Sequence, residues 1–336
     1  MSEQSTKRVP GASQLEAYAR HAEKAGDLDR ALGYFRALAT AEAERPQWAF
    51  EGVRVLGVSG RKAEAAEALK AAMRRWPKAL ERPELKALVL AADGGAPPSA
   101  ALARHAPPDE ALRRPLVGDD PSRDLIAVRG ERDAVVLVFT GLADRMVMPL
   151  PLFDRYLAEL GLGAIYLRDR RRMGFFSGVS SLGDGYDQAI SGLRGLIGDL
   201  GAKRVFTLGN SAGGMGAVSY GLDLDAEAIL GFSAPIAIWA EMKAHDARAA
   251  LLADRLLGKV PAERSDFRRR LGAAGRKGFV HLYFGEEMPE DRAHARAFEG
   301  IAAVRLHPIE GLAGHGALFR MAESGALRRE LAERFA

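Results

Sequence analysis

The chain carries the pentapeptide GNSAG at positions 209–213, directly after the apolar run 204–208. A serine on a sharp turn between a strand and a helix has strained backbone angles, and the residues two before and two after it come too close to its backbone to carry a Cβ atom. Gly209 and Gly213 remove that clash, so the spacing predicts that Ser211 projects from the strand end as a nucleophile. The alternative is a glycine-rich turn that binds phosphate through its amides, but the phosphate-binding pattern G-x-x-x-x-G-K-[ST] is not found.

A serine hydroxyl is a poor nucleophile until a base accepts its proton, and histidine suits that role near neutral pH. His315 is the strongest candidate, because it lies among the glycines of segment 311–316, after the last predicted strand. A glycine-rich loop at that place can bring the imidazole over Ser211. For the other histidines we expect packed or solvated side chains: His21, His105, His245, His281, His294 and His307.

The imidazole in turn needs a carboxylate that fixes its tautomer and stabilises its positive charge. Acidic residues follow the predicted strand 279–284. Asp291 is the first choice, since backbone amides at the start of the next helix could hold a short carboxylate there. Glu287 is the second choice and Glu286 the third. Each of them could equally be a solvated loop charge or a helix cap, so the choice stays open at this point.

The elements that must position these residues begin at Asp124, where apolar runs alternate with helical patterns. Such alternation is typical of α/β folds in which a largely parallel sheet has helices on both faces. In these sheets the chemistry lies beyond the carboxyl ends of the strands. The predicted strands are 125–128, 134–140, 164–167, 204–208, 228–232, 279–284 and 304–308. The predicted helices are 151–160, 185–200, 213–220, 290–298 and 317–335.

The order along the chain is Ser211, then an acid, then His315, and on these motifs residues 124–336 resemble the α/β-hydrolase superfamily. The resemblance implies the α/β-hydrolase fold and a nucleophile that follows a central strand. It also implies an oxyanion hole formed by the backbone amides of Leu142 and Ala212.

Two features depart from the usual pattern of that superfamily. Met288 stands three residues after Gly285, where many members carry the acidic residue, so the resemblance does not assign the acid. The segment FTGLA at 139–143 stands where other members have an H-G-G-G oxyanion loop.

Two segments of this domain could shape a substrate pocket. Residues 236–276 contain Trp239 and several leucines at helical spacing, at the position of a lid in the superfamily; packing is the more common role of such an apolar stripe. Arg170, Arg171 and Arg172 follow a predicted strand. Arginines beside aromatic residues can hold an anionic or sugar-bearing substrate. The alternative is a solvated basic loop.

The first part of the chain has a different pattern. Residues 1–12 are polar and are expected to be flexible, and residues 13–92 are helical in pattern. Gly26 and Gly60, 34 residues apart, each precede a helix with alanine at the same offset, which resembles tetratricopeptide (TPR) repeats. This resemblance implies either a concave surface that binds a protein partner or a helical appendage that caps the second domain. Residues 93–123 are rich in proline and glycine and are predicted to be a linker.

Composition excludes several classes of protein. Of the 336 residues, 48% are hydrophobic and 27% are charged, as in globular proteins. The chain has no cysteine, which rules out disulfides, thiolate metal sites and a cysteine nucleophile. The net charge of +4 is spread along the chain, so we expect no nucleic-acid binding. Neither an apolar run of about 18 residues nor a secretory signal is found, so we expect no membrane span and a cytoplasmic location.

Together these observations predict a serine esterase or thioesterase that needs no metal and no organic cofactor. Its substrate would be a small-molecule or glycan-linked acyl compound. Ser211 would form an acyl-enzyme and His315 would act first as base and then as acid, with water as the acceptor. Two alternatives stay open. One is an acyltransferase or deacylase acting on glycans, and the other is an inactive scaffold whose helical repeats bind a protein partner.

Overall fold

The chain divides into two units, Met1–Pro98 and Ser99–Ala336, each described here by itself from a computed structural model. The structure describes residues 11–79, 82, 85, 88, 89, 102–142, 144–237, 256 and 258–335. Within these ranges no helix combines the length and the apolar character needed to cross a bilayer.

The described part of the first unit is helical. Its helices are α1 (Ala12–Lys24), α2 (Leu28–Ala41), α3 (Pro46–Val58) and α4 (Lys62–Arg75). Asp27 caps α2 by accepting a hydrogen bond from the Arg30 amide at 3.1 Å. Phe35 and Trp48 lie buried in the core that α1 to α4 share. The predicted helices are confirmed, whereas their assignment to TPR repeats stays a prediction.

A seven-stranded sheet forms the centre of the second unit. Its strands are β1 (Leu125–Val128), β2 (Ala134–Phe139), β3 (Gly163–Leu167), β4 (Arg204–Asn210), β5 (Ala228–Phe232), β6 (Val280–Gly285) and β7 (Val304–Ile309). Their order across the sheet is β1-β3-β2-β4-β5-β6-β7. β1 is antiparallel to β3, and every other neighbouring pair is parallel. The loops that follow β2 to β7 therefore meet at one edge of the sheet, here called the carboxyl edge.

Helices cover both faces of this sheet. They are α5 (Leu150–Glu159), α6 (Tyr186–Asp199), α7 (Gly213–Asp223), α8 (Ala262–Ser265), α9 (Phe267–Gly272), α10 (Pro289–Arg296), α11 (Ala317–Glu323) and α12 (Ala326–Arg334). Alternate residues of a strand point to opposite faces. Leu137 packs into the core beside α6 and α7, and Val138 packs into the core beside α5, α11 and α12. The predicted α/β class, with a mostly parallel sheet and a preceding helical region, is confirmed.

The last helix differs from the prediction. The pattern over 317–335 predicts one continuous helix, but the structure has two, α11 and α12, separated at Gly325. Gly325 has a φ of +77°, and its amide donates to the carbonyl oxygen of Ala322 at 3.2 Å. A glycine in the left-handed region commonly ends a helix, so the prediction of a single helix was wrong at this residue.

Part of the segment predicted as a linker packs against the sheet. The buried Arg114 donates to the two carboxylate oxygens of Asp154 in α5, each at 2.7 Å. The Tyr166 hydroxyl donates to the same carboxylate at 2.6 Å. Because a buried charge is tolerated only when it is paired and hydrogen-bonded, this contact ties residues 102–123 to the second unit.

Two histidines lie on one face of the sheet near α12. His281 Nδ1 and His307 Nε2 are 3.0 Å apart, so one ring donates and the other, which accepts, is neutral. Burial, with smaller contributions from the charges of Arg334 and His307, lowers the pKa of His281 to about 4. Burial also lowers the pKa of His307, although the nearby Glu330 acts in the opposite direction.

We expect these histidines to make the fold less stable in acid. The pKa of His281 is lowered to about 4, so between about pH 6.5 and pH 4 its unfolded imidazole takes up a proton that the folded one does not. Its contribution to stability is therefore fully present above about pH 6.5 and is lost as the pH falls towards 4, and the lowered pKa of His307 acts in the same direction. Between these two pH values the His281→Gln variant should lose about 1–3 kcal/mol less unfolding free energy than wild type does. Urea denaturation at each pH measures the difference. A pH dependence in His281→Gln equal to that of wild type would contradict the prediction.

Candidate active site

Ser211 lies on a tight turn between β4 and α7, at the carboxyl edge of the sheet. Its φ is +52°, in the left-handed region that residues other than glycine seldom adopt. The Ser211 amide donates to the carbonyl oxygen of Phe232 at 2.8 Å, which holds the turn against the end of β5. The structure thus places Ser211 on a strained strand–turn–helix connection of the kind that its pentapeptide predicts.

The two glycines of the pentapeptide allow separate backbone segments to come into contact. A Cβ atom on Gly209 would lie 2.2 Å from the carbonyl oxygen of Gly213, and one on Gly213 would lie 2.1 Å from the carbonyl oxygen of Phe139. Non-bonded atoms do not approach so closely. A larger residue at either position would therefore force β4, α7 and the end of β2 apart.

Gly213→Ala should lower the free energy of unfolding by about 3 kcal/mol or more, because the obstructing Phe139 carbonyl belongs to a central strand that cannot move aside. Gly195 in α6 offers the matched control, since no other segment of the described chain comes within 4 Å of an added Cβ there. Gly195→Ala should raise the free energy of unfolding by about 0.5–1 kcal/mol. Urea denaturation of both variants measures the contrast. Equal stability of Gly213→Ala and wild type would argue against the close approach.

The side chains of Ser211, His315 and Asp291 form a continuous hydrogen-bonded chain. His315 Nε2 lies 2.8 Å from Ser211 Oγ. His315 Nδ1 lies 2.7 and 3.0 Å from the two carboxylate oxygens of Asp291. A carboxylate beside Nδ1 favours the tautomer protonated there, which leaves Nε2 to accept the serine proton. The Asp291 side chain is 2% exposed and that of His315 is 25% exposed, so the carboxylate is shielded while the imidazole can be reached.

Two neighbouring loops bring the acid and the histidine together. Asp291 lies in the first turn of α10, after β6, and His315 lies in the loop between β7 and α11. The Glu287 amide donates to the carbonyl oxygen of Leu312 at 3.2 Å, so the two loops are in direct contact. The side chain of Glu287 points to solvent, and that of Glu286 accepts from Arg296 at 2.6 Å.

Leu142 and Ala212, the oxyanion donors implied by the resemblance, both lie close to Ser211. Ala212 directly precedes α7, so its amide belongs to a helix N-terminus, where negative charge is stabilised. Leu142 follows Gly141, at which an added Cβ would lie 3.6 Å from the Cβ of Ser211. These positions suit two donors to one oxyanion, and that role stays a prediction.

The three arginines that were considered for substrate binding all contact other parts of this chain. Arg170 donates to the carboxylate of Asp144 at 3.1 Å. Arg172 donates to the same carboxylate through two nitrogens, at 2.9 and 3.1 Å. Arg171 donates to the carboxylate of Asp184 at 3.1 Å. Contact between these arginines and a substrate stays a prediction.

Sequence reasoning missed Asp144 and Ser233. Ser233 follows β5 and has a φ of +47°. Its hydroxyl accepts a hydrogen bond at 3.2 Å from the amide of Ala317, which comes two residues after His315 in the chain. The signal for Asp144 was present in the sequence. It follows one predicted strand and the arginines follow the next, and in a parallel sheet both loops reach the same edge.

The segment 236–276 is described only in part. Trp239 lies outside the described residues. In the described portion, Phe267 and Leu271 of α9 are buried in the core beside α6 and α7. Whether the segment acts as a lid stays a prediction.

No protein-family model matches the chain, and no curated protein matches it. Several solved structures do. An α/β hydrolase enzyme from the metagenome of sediments of the Mar Chica lagoon, Morocco, is 15% identical, with 66% of this chain and 100% of that chain covered and a TM-score of 0.43. A carboxylesterase structure from the thaumarchaeon Nitrososphaera gargenis is 16% identical over 66% of this chain and 99% of that chain, with a TM-score of 0.40. The capsule O-acetyltransferase of Neisseria meningitidis serogroup A is 11% identical over 61% of this chain and 90% of that chain, with a TM-score of 0.42.

The fold class rests on the architecture of this chain itself. Its sheet has one antiparallel edge strand, helices on both faces, and a serine on a turn directly after the central strand β4. The second unit has the α/β-hydrolase fold.

Proposed function

We propose that the second unit is a serine hydrolase that cleaves an ester or a thioester through an acyl-enzyme. The observation that carries the proposal is the hydrogen-bonded chain from Ser211 through His315 to Asp291, with distances of 2.8 and 2.7 Å. An imidazole that contacts a hydroxyl through one nitrogen and a buried carboxylate through the other is the arrangement that activates a serine.

In the first half of the reaction Ser211 Oγ attacks the carbonyl carbon of the substrate. The hydroxyl proton passes to His315 Nε2, and the Asp291 carboxylate stabilises the resulting imidazolium. The carbonyl oxygen becomes negatively charged and accepts hydrogen bonds from the amides of Leu142 and Ala212. When the tetrahedral intermediate collapses, the alcohol or thiol leaves with the proton from His315, and the acyl group stays on Ser211.

In the second half a water molecule replaces the alcohol or thiol. His315 Nε2 accepts a proton from the water as its oxygen attacks the acyl carbon. Collapse of the second intermediate releases the carboxylic acid and returns the proton to Ser211 Oγ. The site is then restored with no group consumed other than substrate and water.

Covalent labelling with a fluorophosphonate probe tests the proposal. An activated serine displaces fluoride from the probe, so we expect one adduct, located on Ser211 by peptide mass spectrometry. Ser211→Ala should lose the adduct, whereas Ser191→Ala should keep it, because Ser191 is an exposed residue of α6. The folded wild-type chain remaining unlabelled would overturn the proposal and favour an inactive scaffold.

Product analysis then assigns the reaction. Purified protein is incubated with p-nitrophenyl esters, acyl thioesters and an acylated sugar, each with and without an added alcohol acceptor. Release of the free acid alone supports hydrolysis. Transfer of the acyl group to the added hydroxyl supports the acyltransferase alternative, since both reactions share the first acyl-enzyme step.

A further inference from the structure

Arginines from the loop after β3 hold the turn that carries Leu142. Arg172 donates to the carbonyl oxygen of Leu142. Through its two terminal nitrogens it also binds the carboxylate of Asp144, at 2.9 and 3.1 Å. Arg170 donates to the same carboxylate at 3.1 Å, and Arg168 donates to the main-chain carbonyl oxygen of Asp144 at 3.1 Å.

We infer that Arg172 and Asp144 are positioning residues that fix the turn bearing Gly141, Leu142 and Asp144, and with it the Leu142 amide, for oxyanion binding. The inference rests on the hydrolase function proposed above. It also gives Arg172 a role different from the substrate contact considered from the sequence.

One residue of this turn has an uncommon backbone conformation. Asp144 has a φ of +58°, in the left-handed region that residues other than glycine seldom adopt, although aspartate is among those that adopt it most often. The Asp144 amide donates to the carbonyl oxygen of Gly141 at 2.9 Å, and the Gly141 amide donates to that of Arg145 at 3.3 Å. The ion pair with Arg172 keeps Asp144 in this conformation and so keeps the turn closed.

Arg172 can hold the turn that carries Leu142 in place because the loop that bears Arg172 is itself fixed. Its amide donates to the carbonyl oxygen of Asp169 at 3.2 Å. The buried carboxylate of Asp169 accepts from the Phe175 amide at 3.0 Å, and the Tyr220 hydroxyl of α7 donates to the Phe175 carbonyl oxygen at 3.0 Å. The loop that bears Arg172 is therefore bound to α7, the helix that begins directly after Ser211 and Ala212.

This geometry predicts a defined kinetic signature. Losing one oxyanion donor lowers kcat by about 10²–10³-fold in known hydrolases. If the turn is only loosened, part of that effect should be lost, and kcat should fall by about 10- to 100-fold. The full negative charge on the oxygen exists only near the transition state, so kcat should fall while KM stays nearly constant.

The experiment compares Arg172→Gln, Asp144→Asn and the double variant with wild type on a p-nitrophenyl ester. Each single variant should lose about 10- to 100-fold in kcat, and the double variant should lose less than the product of the two single losses, because both variants remove the same Arg172–Asp144 ion pair. Arg172→Lys should recover little of the lost kcat, since an ammonium group cannot bind a carboxylate through two parallel N–H donors. The control is Arg204→Gln, which breaks a two-nitrogen pair with Glu227 at the opposite end of β4 and should keep wild-type kinetics.

A second readout does not depend on turnover. Hydrogen exchange of the peptide that spans residues 141–145 should become faster in Arg172→Gln and in Asp144→Asn, and should stay unchanged in Arg204→Gln. Unchanged exchange in the first two variants overturns the inference. A raised KM with normal kcat in Arg172→Gln also overturns it and assigns Arg172 to substrate binding. If the variants show faster exchange while the wild-type protein cleaves no acyl substrate, that result supports the positioning of the turn by Arg172 and overturns the proposed function.

Discussion

Ser211→Ala is expected to lower kcat for ester hydrolysis by about 10⁶-fold, with little change in KM. Alanine has no oxygen to attack the carbonyl carbon, so the acyl-enzyme cannot form and His315 has no hydroxyl to deprotonate. Hydrolysis that remains would come from water held near the oxyanion donors. Initial rates on a p-nitrophenyl ester, with wild type and variant purified in parallel, measure the effect.

Ser191→Ala provides the control for this result, because Ser191 is an exposed serine on α6. Its kcat should equal that of wild type. Unfolding of the Ser211→Ala variant must also be cooperative, which separates a chemical loss from a folding defect. If Ser211→Ala keeps more than about one hundredth of wild-type kcat, another group performs the attack and the assignment of Ser211 is lost.

Asp291→Asn should lower kcat by about 10⁴-fold. The asparagine amide can donate to His315 Nδ1, which then has to accept, so the ring proton moves to Nε2. A protonated Nε2 cannot take the proton of Ser211, and the imidazolium also loses its carboxylate partner. The same initial-rate assay, carried out from about pH 5 to pH 9, measures the loss of kcat across the titration range of histidine.

Glu287→Gln is the matched control, since Glu287 belongs to the same loop but its side chain is exposed. We expect its kcat to stay within about two-fold of wild type, as for most exposed residues outside the reacting centre. The opposite pattern, with Glu287→Gln inactive and Asp291→Asn active, would make Glu287 the acid.

Local patterns in the sequence were sufficient to predict the sheet and the turn that bears Ser211. The strand predicted over 228–232 is β5 to the residue, and β4 leads into the turn at Ser211 as predicted. A buried parallel strand is a continuous apolar run, and the glycines beside Ser211 are required by contacts within its own turn. Both signals lie within a few residues of the feature they predict.

The position of Asp291 at a helix start made it the first choice among three acids, but the sequence left that choice open because the contact with His315 joins distant segments. Glu286 turns to Arg296, Glu287 faces solvent, and Asp291 reaches His315 across the two loops that follow β6 and β7. Those orientations follow from tertiary packing, which residue type and spacing do not determine.

The same limit applies to segment 93–123. Its prolines and glycines predict a stretch with little regular structure. In the described part, residues 102 and 103 are helical and a short 3-10 turn lies at Asp109–Ala111. Composition did not reveal that Arg114 reaches Asp154, 40 residues further along the chain. A segment with an irregular backbone can still pack tightly against the rest of the fold. Its composition indicates the irregular backbone but not the packing.

The left-handed backbone of Ser211 also bears on how this chain can evolve. The conformation costs a serine about 1–3 kcal/mol, whereas glycine adopts it without strain. Mutation to glycine at this position would relieve that strain at the cost of the hydrogen bond to His315, and under the proposed function selection for catalysis opposes it. A lineage that no longer needed the reaction would be expected to drift towards glycine here. Natural variation at position 211 would then report whether an organism still uses the proposed activity.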